Sequence, residues 1–167
     1  EAQTETVWRQ ADKYRVPRIC FINKLDRTGA DFYIDLERIE HRLTKNGVAI
    51  QLPIGTEGGF NGIIDLVKMV AYVYKTDDGT EFDTVEIPAE YLEKAKEYRA
   101  KMIDKIVEAD DDAMMKHLEG EELSEEEING SRIMDSNRKL DSSRKDQNIL
   151  INTSAVVNHS SFYSPKK

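Results

Sequence analysis

Four consecutive residues, Asn23-Lys24-Leu25-Asp26, carry the most specific chemistry in this sequence. A carboxylate accepts two hydrogen bonds from adjacent donors lying in one plane. Guanine presents such a pair, its ring N–H and its exocyclic amine, and adenine has no matching donors on that edge. Asp26 is therefore suited to select guanine. Asn23 both donates and accepts, so it can bridge neighbouring loops. The aliphatic stem of Lys24 can lie along a base face while its charge stays in solvent. Taken alone, Asn-Lys-x-Asp also describes an ordinary polar loop. Its place between an apolar run and a helical pattern lifts it above that reading.

That run, Arg18-Ile19-Cys20-Phe21-Ile22, is short, rich in β-branched and aromatic residues, and without alternation. It suits a buried parallel strand. In open α/β sheets ligands bind beyond the carboxyl ends of strands, where this loop would lie. Downstream, Asp31 or Gly29 is placed to start a helix. Phe32, Leu36, Ile39 and Leu43 form its apolar stripe, and Asn46-Gly47 its stop. Upstream, residues 1–15 read as the end of a helix with Val7, Trp8, Ala11 and Tyr14 on one face; Pro17 forbids its continuation.

Residues 48–54 predict a second strand. Gly55 to Gly62 reads as a turn, because it lacks the Lys and hydroxyl of a phosphate loop. Two apolar runs come next, at 63–67 and 69–74, and Asp77-Asp78-Gly79 predicts a hairpin joining 69–75 to 80–86. Pro88 opens a long helix over 89–109, Asp110 to Asp112 break it, and a short helix over 112–118 is next. Ser124 and Glu127 have capping-box spacing for another helix. The expected architecture is α/β, a parallel sheet with helices, plus an α+β insertion and an irregular tail.

The chain has 167 residues, 24 basic and 32 acidic, for a net charge of −8. That charge is uneven: residues 1–129 carry −12 and residues 130–167 carry +4. The acidic balance argues against nucleic-acid binding spread over the surface. A single cysteine, Cys20, excludes an intramolecular disulfide and reads as a buried strand residue. No apolar run reaches the ~18 residues of a membrane span. His41, His117 and His159 are isolated, and the aspartates at 110–112 lack EF-hand spacing, so no metal ligands are assigned. The chain begins at Glu1 within a helical pattern, and the expectation is a slice of a longer protein.

Residues 1–128 resemble the elongation factor G family of translational GTPases. The resemblance is carried by Gln3-Thr4-Glu5-Thr6-Val7-Trp8-Arg9-Gln10-Ala11, by Phe21-Ile22-Asn23-Lys24-Leu25-Asp26-Arg27 and by Gly29-Ala30-Asp31-Phe32. It continues in Gln51-Leu52-Pro53-Ile54-Gly55, in Phe60-Asn61-Gly62-Ile63-Ile64-Asp65-Leu66 and in Leu123-Ser124-Glu125-Glu126-Glu127-Ile128. The resemblance implies that Asn23, Lys24 and Asp26 bind the guanine of GTP or GDP. It implies residues 1–64 as the C-terminal part of a GTP-binding domain and 65–128 as an insertion facing the stalk protein of the large ribosomal subunit. The implied parent hydrolyses GTP with Mg²⁺ and promotes ribosomal translocation, as a cytoplasmic or organellar monomer with no membrane partner. A related ribosomal-protection or release factor, a non-catalytic guanine- or stalk-binding module, and a non-functional gene fragment are the alternatives.

The 167 residues contain no G-x-x-x-x-G-K-[ST], so this chain alone is expected to be inactive as a GTPase. The resemblance stops at about Ile128; residues 129–167 do not match the family and are expected to be disordered or out of frame. Within them Thr153-Ser154-Ala155 comes after Ile149-Leu150-Ile151, a partial match to the family's second guanine loop. The flanking Gly and Lys-Asn-Lys are absent, which favours coincidence.

Overall fold

The computed structural model describes residues 2–14, 18–44, 47–76, 79–131 and 149–153. The chain opens with helix α1 (Ala2–Lys13) and strand β1 (Arg18–Ile22), then helix α2 (Phe32–Arg42). Six further strands come after it: β2 (Gly47–Ala49), β3 (Gln51–Ile54), β4 (Gly62–Asp65), β5 (Val70–Tyr74), β6 (Phe82–Val85) and, last, β7 (Ile149–Thr153). Helices α3 (Ala89–Ala109), α4 (Asp111–Leu118) and α5 (Glu125–Gly130) lie between β6 and β7.

The strands form two sheets. One is parallel, in the order β1-β7-β2, and the other runs β3-β4-β5-β6 with every pairing antiparallel. The α/β architecture expected from the sequence is present. One part of the expectation needs correction: residues 149–153 are not irregular. They form the middle strand of the parallel sheet, Arg18 pairing with Ile149 and Ile22 with Thr153 on one side, Gly47 with Ile149 on the other. The physical reason is that Ile149-Leu150-Ile151 is an unbroken apolar run with high strand preference. Between two short strands it finds backbone partners on both edges. The partial match at Ser154-Ala155 lies just outside the described residues.

The strand predicted over 48–54 is divided. Val48 and Ala49 pair with β7, whereas Gln51 to Ile54 pair with β4 in the other sheet. Ile50 is the joint, and its carbonyl accepts from the Leu66 amide at 3.1 Å. A largely apolar sequence read as one strand cannot reveal that its two halves serve different sheets.

One hydrophobic core joins both sheets and helices α2 to α5. It runs from Ile22, Leu25, Phe32 and Leu36 through Leu52, Ile64 and Leu66 to Met102, Ile106 and Ile128. The buried stripe of α3 is Ala95, Met102, Ile106 and Ala109, spaced for one helical face. Arg99 on the same helix donates to the carbonyls of Leu66 and Val67, the latter at 2.7 Å, satisfying the turn between β4 and β5. In α1 only Trp8 of the expected stripe is buried; Val7 and Tyr14 are 65% and 71% exposed. The hairpin β5–β6 forms as expected, with Asp77 and Asp78 outside the described residues.

The helix ends obey local chemistry. Asp110 breaks α3 and caps α4, its Oδ1 accepting from the Asp112 amide at 3.2 Å. Ser124 and Glu127 form the reciprocal capping box of α5. Lys116 of α4 donates to Glu127, tying the two helices together. That ammonium, with the Ser124 amide and hydroxyl, holds the Glu127 carboxyl down to about 2.

A chain ending at Ser131 is expected to keep slow amide exchange in β4, β5 and α3, while exchange in β1 and β2 rises roughly tenfold or more; unchanged protection of β1 would show that β7 is not its partner. An unfolded glutamate titrates near ~4.3. The stabilisation from Glu127 is therefore complete above that pH and lost as pH falls toward about 2. Glu127→Gln should flatten this part of the acid dependence in urea titrations.

Candidate functional site

Parallel pairing puts the carboxyl ends of β1 and β7 at the same edge, with Ile22 opposite Thr153. The chain leaves β1 there as Asn23-Lys24-Leu25-Asp26. Asn23, Lys24 and Asp26 are exposed, whereas Leu25 is 4% exposed and belongs to the core. The buried leucine pins the loop while its polar neighbours face solvent. Two linked turns come next: the Arg27 amide donates to the Lys24 carbonyl at 3.2 Å, and the Ala30 amide to the Arg27 carbonyl at 3.0 Å.

Lys24 sits at φ +64, a left-handed conformation that non-glycine residues adopt only at a cost. Its amide donates to the Asn23 Oδ1 at 2.7 Å, which orients the Asn23 side chain. A long cation held in a conformation that favours glycine is a sign that the side chain is wanted there.

The far end of the loop is also fixed. Asp31 caps α2, its Oδ1 accepting from the amides of Tyr33 at 2.8 Å and Ile34 at 3.1 Å. Of the two sequence candidates for that helix start, Asp31 is the one used. Gly29, at φ +81, is instead a turn residue, and its amide donates to Glu57 Oε1 at 2.8 Å. Glu57 begins a short 3₁₀ turn, Glu57–Gly59, between β3 and β4. Sequence reading does not find this contact, because no local pattern marks a carboxylate that reaches 28 residues back.

Helix α2 carries the loop's position into the rest of the molecule. Lys94 of α3 stands over the Tyr33 ring, its Nζ 3.4 Å from the centroid, and the Tyr98 ring lies 5.8 Å from that of Tyr33. Burial, with Tyr98, Tyr91 and Asp31 nearby, pushes the Tyr33 hydroxyl well above the ordinary tyrosine range. A separate groove of about 350 Å³ lies between α3 and residues 117–123, with Lys96, Arg99, Asp104, His117 and Glu122 among its lining; it contains none of the loop residues. Among the described residues no group of three or more His, Cys, Asp or Glu is placed to hold a metal ion.

A family model described as the elongation factor Tu GTP binding domain matches residues 1–160. The chain belongs to this family. The matched span includes β7 and its surroundings, the part that the sequence sets apart by charge. Family membership makes residues 1–160 a GTP-binding domain of the translational GTPase family. Among solved structures, the crystal structure of a protein from Thermus thermophilus is similar with a TM-score of 0.73 at 28% sequence identity. The alignment covers 91% of this chain and 21% of that one, so the chain spans about a fifth of that protein's length.

Lys24→Gly is expected to relieve the backbone cost and raise stability by about 0.5–1 kcal/mol. Urea denaturation measures this, and a loss of stability would show that the lysine side chain holds the loop.

Proposed function

We propose that this chain is the guanine-recognising part of an elongation factor G-type translational GTPase, the factor that hydrolyses GTP to promote ribosomal translocation. The observation that carries the reading is the exposed Asn23-Lys24-Leu25-Asp26 loop at the carboxyl end of β1, beside that of β7, in a GTP-binding family member. Asp26 accepts from the guanine ring N–H and exocyclic amine. Asn23 braces the loop, and the Lys24 stem covers the base. Residues 65–128, with their acidic helices, are the surface for the ribosome and its stalk protein. The protein works as a cytoplasmic monomer.

The exposed carboxylate and open loop fit guanine. The phosphates and Mg²⁺ require a cradle of the G-x-x-x-x-G-K-[ST] kind, absent from these 167 residues. When bound, that ion neutralises charge on the phosphates.

The decisive test is nucleotide choice. Xanthine keeps the ring N–H but replaces the amine with an oxygen. Asp26→Asn should therefore lose about 3 kcal/mol of GDP affinity, roughly a hundredfold, and gain affinity for XDP. Fluorescent-nucleotide titration reads both, and GTP turnover by the 167-residue chain should not exceed a blank. Equal binding of GDP and ADP, or turnover above the blank, overturns the reading.

A further inference from the structure

The turn between β3 and β4 touches two distant parts of the chain. At its start the Gly55 amide donates to the Tyr91 hydroxyl of α3 at 3.0 Å. Two residues later Glu57 Oε1 accepts from the Gly29 amide at 2.8 Å. Glu57 stands at φ +50, among Gly55, Gly58 and Gly59. Glycine would meet that backbone without strain, yet the position holds a carboxylate whose reach is to the guanine loop.

The loop from Asn23 to Ala30 is pinned by the buried Leu25 and fixed at its two ends. One is the β1–β7 register at Ile22. The other is the start of α2, where Asp31 is occupied with capping its own helix. Between them the two turns share Arg27, as donor to Lys24 and acceptor from Ala30. A shift of Gly29 therefore passes through Arg27 to its neighbour Asp26. Without the Glu57 contact the turns from Arg27 to Ala30 would let Asp26 sample more orientations, and a bidentate contact to a flat base edge tolerates little angular error.

We propose that Glu57 is a positioning residue for guanine recognition. Its carboxylate fixes Gly29 and through it the direction of the Asp26 carboxylate, and Tyr91 anchors the same turn to α3. The long helix is thereby linked to the base-reading loop. Glu57 does not touch the base. The proposal rests on the guanine reading above.

The test compares GDP with IDP, whose hypoxanthine lacks the exocyclic amine, in the full 167-residue chain. Glu57→Gly suits the left-handed backbone and removes the whole side chain, the carboxylate included. It should leave the thermal midpoint equal or higher, lower GDP affinity roughly tenfold and reduce the GDP-over-IDP preference. Glu57→Gln keeps an acceptor oxygen and should retain most of that preference. Tyr91→Phe should move in the same direction as Glu57→Gly by a smaller factor. If wild type prefers GDP, Asp26→Asn abolishes that preference and Glu57→Gly leaves it intact, the positioning role is overturned and the guanine reading stands. If wild type shows no preference for GDP over IDP, the guanine reading falls and takes the positioning role with it.

Discussion

Everything at the edge that carries the Asn23–Asp26 loop depends on the pairing of β7 with β1 and β2. Among the described residues neither β1 nor β2 has any other strand partner. Each brings a row of backbone groups that must be satisfied if it is buried. A five-residue strand from far along the chain meets both rows at once, five pairs on one side and three on the other. Because all three strands run in the same direction, their chain exits gather at one edge. The loop at 23–26 owes its location to that directionality, and its exposure to the polar side chains that flank the single buried Leu25.

Below this edge the molecule is tied together by contacts of unlike kinds. Ile50 passes the chain from the parallel sheet to the antiparallel one within a single residue. Arg99 closes the carbonyls of the β4–β5 turn. Lys94 and Tyr98 meet Tyr33 on α2, so the helix after the loop rests on the long helix α3. The apolar core is continuous through these junctions, with Ile64, Leu66, Ile106 and Ile128 fully buried. Surface ion pairs such as Lys101–Glu97 and Lys96–Glu93 on α3 lie on exposed side chains and contribute little to this framework.

Features governed by nearest neighbours were legible in the sequence. The Asp31 cap, the α3 limits, the Asp110 break and the Ser124–Glu127 box are local interactions with characteristic residue types. The β1 strand and its loop were legible for the same reason, but its expected burial was not borne out: Ile19 and Phe21 are exposed and Cys20 is half-buried, with Ile22 in the core. The features that escaped are non-local. The strandedness of 149–153 comes from two edges distant in the chain, at 18–22 and 47–49. The division of 48–54 comes from which partner each half meets. The left-handed Lys24 and Glu57 occupy positions that residue preference assigns to glycine, so no propensity argument finds them. The charge change near residue 130 was real, yet charge describes the surface of a segment and not whether its backbone is wanted inside a sheet.

The β7 register also orders events in time. Arg18 meets Ile149 across nearly the whole chain, whereas every pairing in β3–β6 joins close neighbours in sequence. During synthesis the antiparallel sheet and α3 leave the ribosome with all their partners already present. The parallel sheet cannot close until the last strand has emerged, and closing so long a loop carries the larger entropic cost. The edge that carries the 23–26 loop is thus the last part of the described fold to form, and it is completed together with the second of the two strands whose ends meet there.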